Sequence, residues 1–161
     1  MSGIISIVPF KGDTDCKSRL RAVLPSKVRR EVALIMLERV LNALAASTLI
    51  SGRLLVGGNR VCWRIARDNA FQVLPDQRIG LNQNICRAIQ FACGLGYEQA
   101  LILPADLPFV NTWEVERLIG LRKQYDTVIV SSKEGTGTNA LLVPLQFGFI
   151  PAFGKNKIYF I

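Results

Sequence analysis

The sequence predicts an α/β domain built on a mostly parallel sheet, and three observations carry that expectation. Short apolar β-type runs alternate with amphipathic helical stretches from Ile4 to Val143. The runs Ile4–Val8 and Ala100–Leu103 are apolar throughout, as in parallel strands covered on both faces. Polar loops carrying Gly, Lys, Ser or Asp follow the strands, and in open α/β sheets ligands bind beyond strand C-termini.

Taken in order, Ile4–Val8 is a buried first strand that empties into Pro9-Phe10-Lys11-Gly12 and on through Lys17-Ser18-Arg19-Leu20. A Gly-, Lys- and Ser-bearing loop after a first strand is where nucleotide-binding α/β proteins hold phosphates. It matches neither GxxxxGK[ST] nor GxGxxG. Val28–Leu44 is the clearest helix, with Val32, Ala33, Met36, Leu37, Val40, Leu41 and Leu44 recurring at three and four. Leu54–Val56 is a second strand stopped by Gly57-Gly58, and Asn59 caps a short helix through Ile65. Trp63 there reads as packing rather than as a platform for a base. Phe71–Leu74 is a third strand. Asn82 or Asn84 then caps a helix whose buried stripe is Ile85, Ala88, Ile89 and Ala92, with Gly94 and Gly96 as stop signals. Asn111 and Glu114 form a capping-box pattern for a helix to about Lys123. Thr127–Val130 and Ala140–Val143 are strands on either side of the loop from Ser131 to Asn139, and Gly148–Phe153 is a last extended piece.

The chain has 161 residues, half of them hydrophobic and a fifth charged, which favours one domain with a sizeable core. No apolar run approaches the ~20 residues that span a bilayer. The N-terminus lacks the charged region of a secretory signal, so a cytoplasmic protein is expected. Cys16, Cys62, Cys86 and Cys93 lack CxxC spacing, and the sequence holds 0 histidines. That excludes a Ser-His-Asp site and the usual zinc sets, and leaves the thiols without an activating imidazole. Net charge is +8, concentrated partly in Lys11, Lys17, Arg19, Arg21, Lys27, Arg29 and Arg30. Such a cluster attracts nucleotides, phosphorylated metabolites or nucleic acid, or is simply a solvated surface.

Asp106 draws the most weight. It is a carboxylate just past the strand Ala100–Leu103, between Pro104 and Pro108, which stiffen the turn. An acid held there suits Mg²⁺, which takes hard oxygens from one or two carboxylates and from substrate phosphates. Alone, it fits a turn cap equally well. In a parallel sheet, though, the loops at Lys11–Arg19, Gly80–Asn82, Asp106 and Gly135–Asn139 are expected at one rim.

Val8-Pro9-Phe10-Lys11, Lys17-Ser18-Arg19-Leu20, Gly80-Leu81-Asn82, Pro104-Ala105-Asp106-Leu107-Pro108, Gly137-Thr138-Asn139-Ala140-Leu141 and Phe153-Gly154 together resemble the 2-phospho-L-lactate/phosphoenolpyruvate guanylyltransferase family. The resemblance runs from about Ile4 to Gly154. It implies a Rossmann-like nucleotidyltransferase fold of the nucleotide-diphospho-sugar transferase type, with helices on both faces of the sheet. It implies transfer of GMP from GTP to the phosphate of a small phosphorylated carboxylic acid, in synthesis of the deazaflavin coenzyme F(420). By the same resemblance Lys11, Lys17, Ser18 and Arg19 meet the GTP phosphates, and Gly80 and Asn82 lie near the nucleoside. Asp106 holds Mg²⁺ and, with Lys17, carries the chemistry. Thr138, Asn139 and Gly154 contact the acceptor, which is phosphoenolpyruvate, 2-phospho-L-lactate or 3-phosphoglycerate. GTP and the acid are the expected partners; a nucleic acid or a membrane is not, and a homodimer stays open.

The chain departs from the family pattern after Phe153-Gly154. Lys157 stands where an acceptor-binding serine is expected, and a later metal-binding aspartate has no counterpart. Glu134 is the other acid considered for the metal. The expectation is a single domain lacking the family's C-terminal segment, either an impaired homologue or a short functional variant with one metal carboxylate. Two rivals remain: a nucleotidyltransferase for another acceptor, disfavoured because Val8-Pro9-Phe10-Lys11 is not a glycine-rich loop, and a small basic module that binds RNA or protein. Few aromatics and no RNP-like signature speak against the second.

Overall fold

A computed structural model of the chain describes residues 3–12, 21–145 and 153. Its elements in chain order are β1 (Ile4–Phe10), α1 (Ser26–Ala45), β2 (Gly52–Gly57), α2 (Arg60–Asp68), β3 (Gln72–Leu74), α3 (Leu81–Gly94), β4 (Gln99–Ile102), α4 (Thr112–Gly120), β5 (Val128–Ser131) and β6 (Thr138–Pro144). A 3-10 turn, Leu121–Lys123, extends α4. The expected piece Gly148–Phe153 lies outside the described residues apart from Phe153.

The six strands form one sheet in the order β3-β2-β1-β4-β6-β5. β3, β2, β1 and β4 run parallel, with Val8 opposite Leu55 and Ile7 opposite Ile102. β6 runs antiparallel to both β4 and β5. The reversal has a chain-length cause: only the turn from Ser132 to Gly137 separates β5 from β6, and a parallel crossover needs a dozen residues or more.

The sheet buries both faces, as its unbroken apolar strands require. On one face Ile4, Val8, Leu55, Leu101 and Leu142 pack with Leu37, Val40, Leu41 and Leu44 of α1, Cys62 and Ala66 of α2, and Val115 and Ile119 of α4. On the other, Ile5, Ile7, Leu54, Ile102 and Leu141 pack with Ile85, Ala88, Ile89 and Ala92 of α3. Alternate residues of β1 enter the two clusters, as the two-residue strand period demands. Each fully buried leucine of the α1 stripe is worth about 1.5–3 kcal/mol relative to exposure.

Caps decide where two helices begin. Asn59 Oδ1 accepts from the amides of Val61 and Cys62 at 3.0 and 3.2 Å, starting an α2 that runs on to Asp68 rather than stopping at Ile65. Asn111 and Glu114 form the expected capping box on α4. The expected cap of α3 is wrong: neither Asn82 nor Asn84 serves. The N-cap is Gly80, at φ 95°, and no side chain caps it. Both asparagines lie inside the helix, where their side chains bind elsewhere.

Candidate active site

In the strand order the chain winds outward from β1 in one direction through β2 and β3, then returns to β4 on the other side of β1. Such a reversal opens a crevice beyond the strand C-termini, between β1 and β4. Lys11 follows the last residue of β1, and Gly12, at φ 97°, turns the chain there. Leu103, just past β4, still donates to Ile7 O at 3.0 Å, so Asp106 stands three residues beyond the last bond between the two strands. Lys11 and Asp106 are both exposed, each just beyond the C-terminal end of one of two adjacent parallel strands.

The turn that carries Asp106 is fastened from below. Ala105 is buried and Leu107 packs against the same cluster, so the residue between them projects outward. Arg39 of α1 donates through Nη1 to Pro108 O at 3.1 Å, and Thr112 Oγ1 donates to Ala43 O at 3.1 Å. These bonds hold the β4–α4 turn against α1. Pro104 and Pro108, each with φ restricted, stiffen the main chain on either side of Asp106.

At the neighbouring strand ends Gly57, at φ 91°, lies so close to β1 that an added Cβ would stand 2.2 Å from Phe10 O. Gly58 N donates to that same carbonyl at 2.8 Å. Trp63 Nε1 donates to Gly57 O at 2.8 Å, which agrees with its reading as a packing residue.

The β3–α3 loop is shaped by a polar clamp that the sequence reading missed. Asn84 is 5% exposed and sits on the apolar stripe of α3. Its Nδ2 donates to Asp76 Oδ1 at 2.6 Å and to Gly80 O at 2.9 Å. Its Oδ1 accepts from Arg87 Nη1 at 3.0 Å, and Arg87 Nη1 also donates to Pro75 O at 3.2 Å. Arg78 N donates to Asp76 Oδ1 at 2.7 Å, and Arg78 itself adopts φ 58°, uncommon for a residue with a side chain. The signal was available: a helical stripe that reads Asn84, Ile85, Ala88 places an amide inside the core, where it must find partners.

The clamp presents Gly80 and the first turn of α3 at the rim. A Cβ on Gly80 would meet nothing within 4 Å, so the main chain faces open space. With no side-chain cap, the first amides of α3 have no intrahelical acceptor and can receive an electron-rich ligand. The Asn82 side chain is engaged instead with Phe153: Nδ2 donates to Phe153 O at 2.9 Å, and Phe153 N donates to Asn82 Oδ1 at 2.8 Å.

Because β6 is antiparallel, its first residues lie at this same rim. Ser131 pairs with Thr138 and Val130 with Ala140, which leaves Asn139 as an extra residue on β6. A bulge of this kind re-aims a side chain. Glu134 is exposed in the turn between β5 and β6. The fold therefore brings Lys11, Gly80, Asn82, Asp106, Thr138 and Asn139 to one edge of the sheet. Lys17, Ser18, Arg19, Gly154 and Lys157 lie outside the described residues.

Among the described residues no group of three or more Cys, Asp or Glu is placed to hold a metal ion. A divalent ion here would rest on Asp106 and on the oxygens of its substrate, a donor set that suits Mg²⁺ better than softer metals. Cys62, Cys86 and Cys93 are thiols, and burial pushes Cys86 above its ordinary range, away from nucleophilic use. No described helix is long and apolar enough to cross a membrane.

The switch-point crevice and the mixed sheet define a Rossmann-like fold of the nucleotide-diphospho-sugar transferase type. A solved Desulfovibrio desulfuricans G20 protein, provisionally named a nucleotide-diphospho-sugar transferase, matches 90% of this chain with a TM-score of 0.74 at 17% identity, and the match spans 64% of that protein. The family described as "Guanylyl transferase CofC like" matches residues 4–154, and the chain belongs to it. A phosphoenolpyruvate guanylyltransferase of Sphaerobacter thermophilus is 30% identical over 95% of this chain and 74% of its own length. A 2-phospho-L-lactate guanylyltransferase of Methanobrevibacter smithii is 26% identical over 89% of this chain and 62% of its own length. A 3-phospho-D-glycerate guanylyltransferase of Colwellia psychrerythraea is 25% identical over 94% of this chain and 75% of its own length.

Proposed function

We propose that this chain transfers GMP from GTP to the phosphate of a small phosphorylated carboxylic acid and releases pyrophosphate, in the synthesis of the deazaflavin coenzyme F(420). The observation that supports the reading is that Lys11 and Asp106, both exposed, follow the C-terminal ends of the adjacent parallel strands β1 and β4. A cation and a carboxylate set there suit a Mg²⁺–triphosphate, whose ion requires oxygen ligands and whose phosphates require positive charge. Phosphoenolpyruvate, 2-phospho-L-lactate and 3-phosphoglycerate are the acceptors in view, since each appears in the name of a relative.

A phosphate oxygen of the acid attacks the α-phosphorus of GTP, a new P–O bond forms, and the bond to the β-phosphate oxygen breaks as pyrophosphate leaves. The attacking group has its second pKa near ~6, so it is already an anion at neutral pH and needs no general base. A chain without histidine is thus suited to the reaction. What remains for the protein is alignment and charge neutralisation. Bound at Asp106, Mg²⁺ would supply the second of these at the phosphates. Lys11 binds the β- and γ-phosphates from the β1 side, together with Lys17, Ser18 and Arg19. Gly80 lets the nucleoside approach the main chain of α3, whose first amides donate to its polar edge. Thr138, Asn139 and Gly154 orient the acceptor from the β6 side.

The test is direct. Purified chain, GTP and MgCl₂ are incubated with each of the three acids, and pyrophosphate and the guanylylated product are measured by coupled assay and mass spectrometry. Release that depends on one of the acids supports the reading. No release with any of them overturns it and leaves the impaired homologue.

A further inference from the structure

The outward face of α2 carries three arginines that the crevice does not use. Arg60, Arg64 and Arg67 recur at four and three, so they line one side of the helix over about 10 Å. All three are exposed. With Trp63 and Asp68 they line an open recess of about 450 Å³, within the size range of small-ligand sites. Among the described residues no hydrogen bond or ion pair engages any of the three guanidiniums, nor the Asp68 carboxylate beside them. Trp63 is half-buried with Nε1 donating to Gly57 O at 2.8 Å, and the rest of its ring gives the recess an aromatic wall.

Helix formation does not ask for this arrangement. Arg60 and Arg64 are like charges at i and i+4, a pair that weakens a helix. Arg60 also stands at the positive end of the helix dipole, where the first turn holds no acid. Only Arg67, in the last turn, suits the dipole. The recess thus gathers three positive charges against one negative, and a ligand with two or more negative charges restores the balance. Guanidinium forks match phosphate oxygens two at a time, and a diphosphate presents enough of them to meet neighbouring arginines at once. An aromatic wall beside such cations also suits the base of a nucleotide. We propose that the Arg60, Arg64 and Arg67 face of α2 is an accessory anion site that takes a diphosphate group, free or as part of a nucleotide, apart from the β1/β4 crevice. The inference does not depend on GMP transfer, since none of these residues belongs to the crevice.

Trp63 and Trp113 are the two tryptophans of the chain, so Trp113→Phe leaves Trp63 as the sole indole reporter. In that background, with EDTA present, Trp63 emission is titrated with ADP and with pyrophosphate, which carry similar charge. The same titrations are run on Arg64→Gln/Arg67→Gln and on Lys11→Gln, with thermal melts to confirm folding. The expected result is a change in emission that saturates below about 1 mM ligand. Affinity falls about tenfold or more in the double arginine variant and stays within about twofold in Lys11→Gln. ADP binding more tightly than pyrophosphate shows that a base is read against Trp63, and equal or weaker binding shows that the diphosphate alone is read; either supports the proposal. No saturable change overturns it, as does an affinity unmoved in the double variant. An affinity lost in Lys11→Gln and kept in the double variant also overturns it, because the anion then lies in the crevice. Pyrophosphate release from GTP is scored separately, so failure here leaves the proposed reaction standing.

Discussion

Replacing Asn84 with Ala isolates the part of the site that the fold builds most deliberately. Four bonds go: Nδ2 to Asp76 Oδ1 at 2.6 Å and to Gly80 O at 2.9 Å, and Oδ1 from Arg87 Nη1 at 3.0 Å and from Gln77 N at 3.5 Å. They are not equal losses. Gly80 O keeps the helical bond from Asn84 N at 3.1 Å, and Arg87 Nη1 keeps Pro75 O. Asp76 is exposed, keeps Arg78 N, and recovers a water in place of the amide. The bond at 3.5 Å is weak. Discounted in this way, the four bonds together are worth about 2 kcal/mol. In a domain of this size that lowers Tm by roughly 4–8 °C. The loop from Pro75 to Gly80 loses its shape as well, so GTP affinity falls with stability. Asp76→Asn is the control, because it retains an oxygen for Arg78 N and Asn84 Nδ2 and costs less than about 1 kcal/mol. Thermal melts and GTP titration of both variants decide the matter. An Asn84→Ala protein within about 0.5 kcal/mol of the unaltered chain, with the same GTP affinity, would show that the loop is shaped by something other than this amide.

Other expectations follow from single positions. Gly57→Ala puts a Cβ 2.2 Å from Phe10 O at φ 91°, which adds overlap to backbone strain and costs about 2–4 kcal/mol. Gly80→Ala has the strain without the overlap and costs about 1–2 kcal/mol, so the two separate in urea midpoints. Asn111→Ala removes the side-chain oxygen that accepts from Glu114 N, and lowers stability by about 1 kcal/mol in the same measurement. Burial raises the Cys86 pKa, so its folded-state thiol holds its proton to higher pH than the unfolded one. Its share of stability is complete below the unfolded pKa and declines as pH rises beyond it. Iodoacetamide labelling mapped by mass spectrometry should find Cys86 slower in the native protein than in the urea-unfolded chain.

Much of this arrangement was legible from the residues. The apolar runs at Ile4–Val8 and Ala100–Leu103 announced strands buried on both faces, and the sheet places them side by side at its centre. Asn59 and the pair Asn111/Glu114 announced helix starts because a short polar side chain before an apolar periodic stretch has little else to do. Alternation of strands and helices predicted a common rim, and the sheet puts Lys11 and Asp106 just beyond the C-terminal ends of adjacent parallel strands. Two things were not legible. The reversal of β6 depends on sheet order, which a local pattern does not carry, although the short link from Ser132 to Gly137 hinted at it. The duties of Asn82 and Asn84 were misread as capping because sequence spacing cannot tell a residue before a helix from one inside it. Gly80, two positions earlier, takes the cap through a positive φ that glycine adopts at little cost. Both asparagines then meet partners far along the chain or across a loop, and such contacts exist only after folding.

On the proposed reading, the Asp106 carboxylate at the β4 turn governs how the triphosphate is held. The measurement is pyrophosphate release at saturating GTP and acceptor, as a function of Mg²⁺, for the unaltered chain and for Asp106→Asn. The variant is expected to lose about a hundredfold or more in rate, with a raised Mg²⁺ requirement. An Asp106→Asn protein that releases pyrophosphate at the unaltered rate and the same Mg²⁺ midpoint would contradict it.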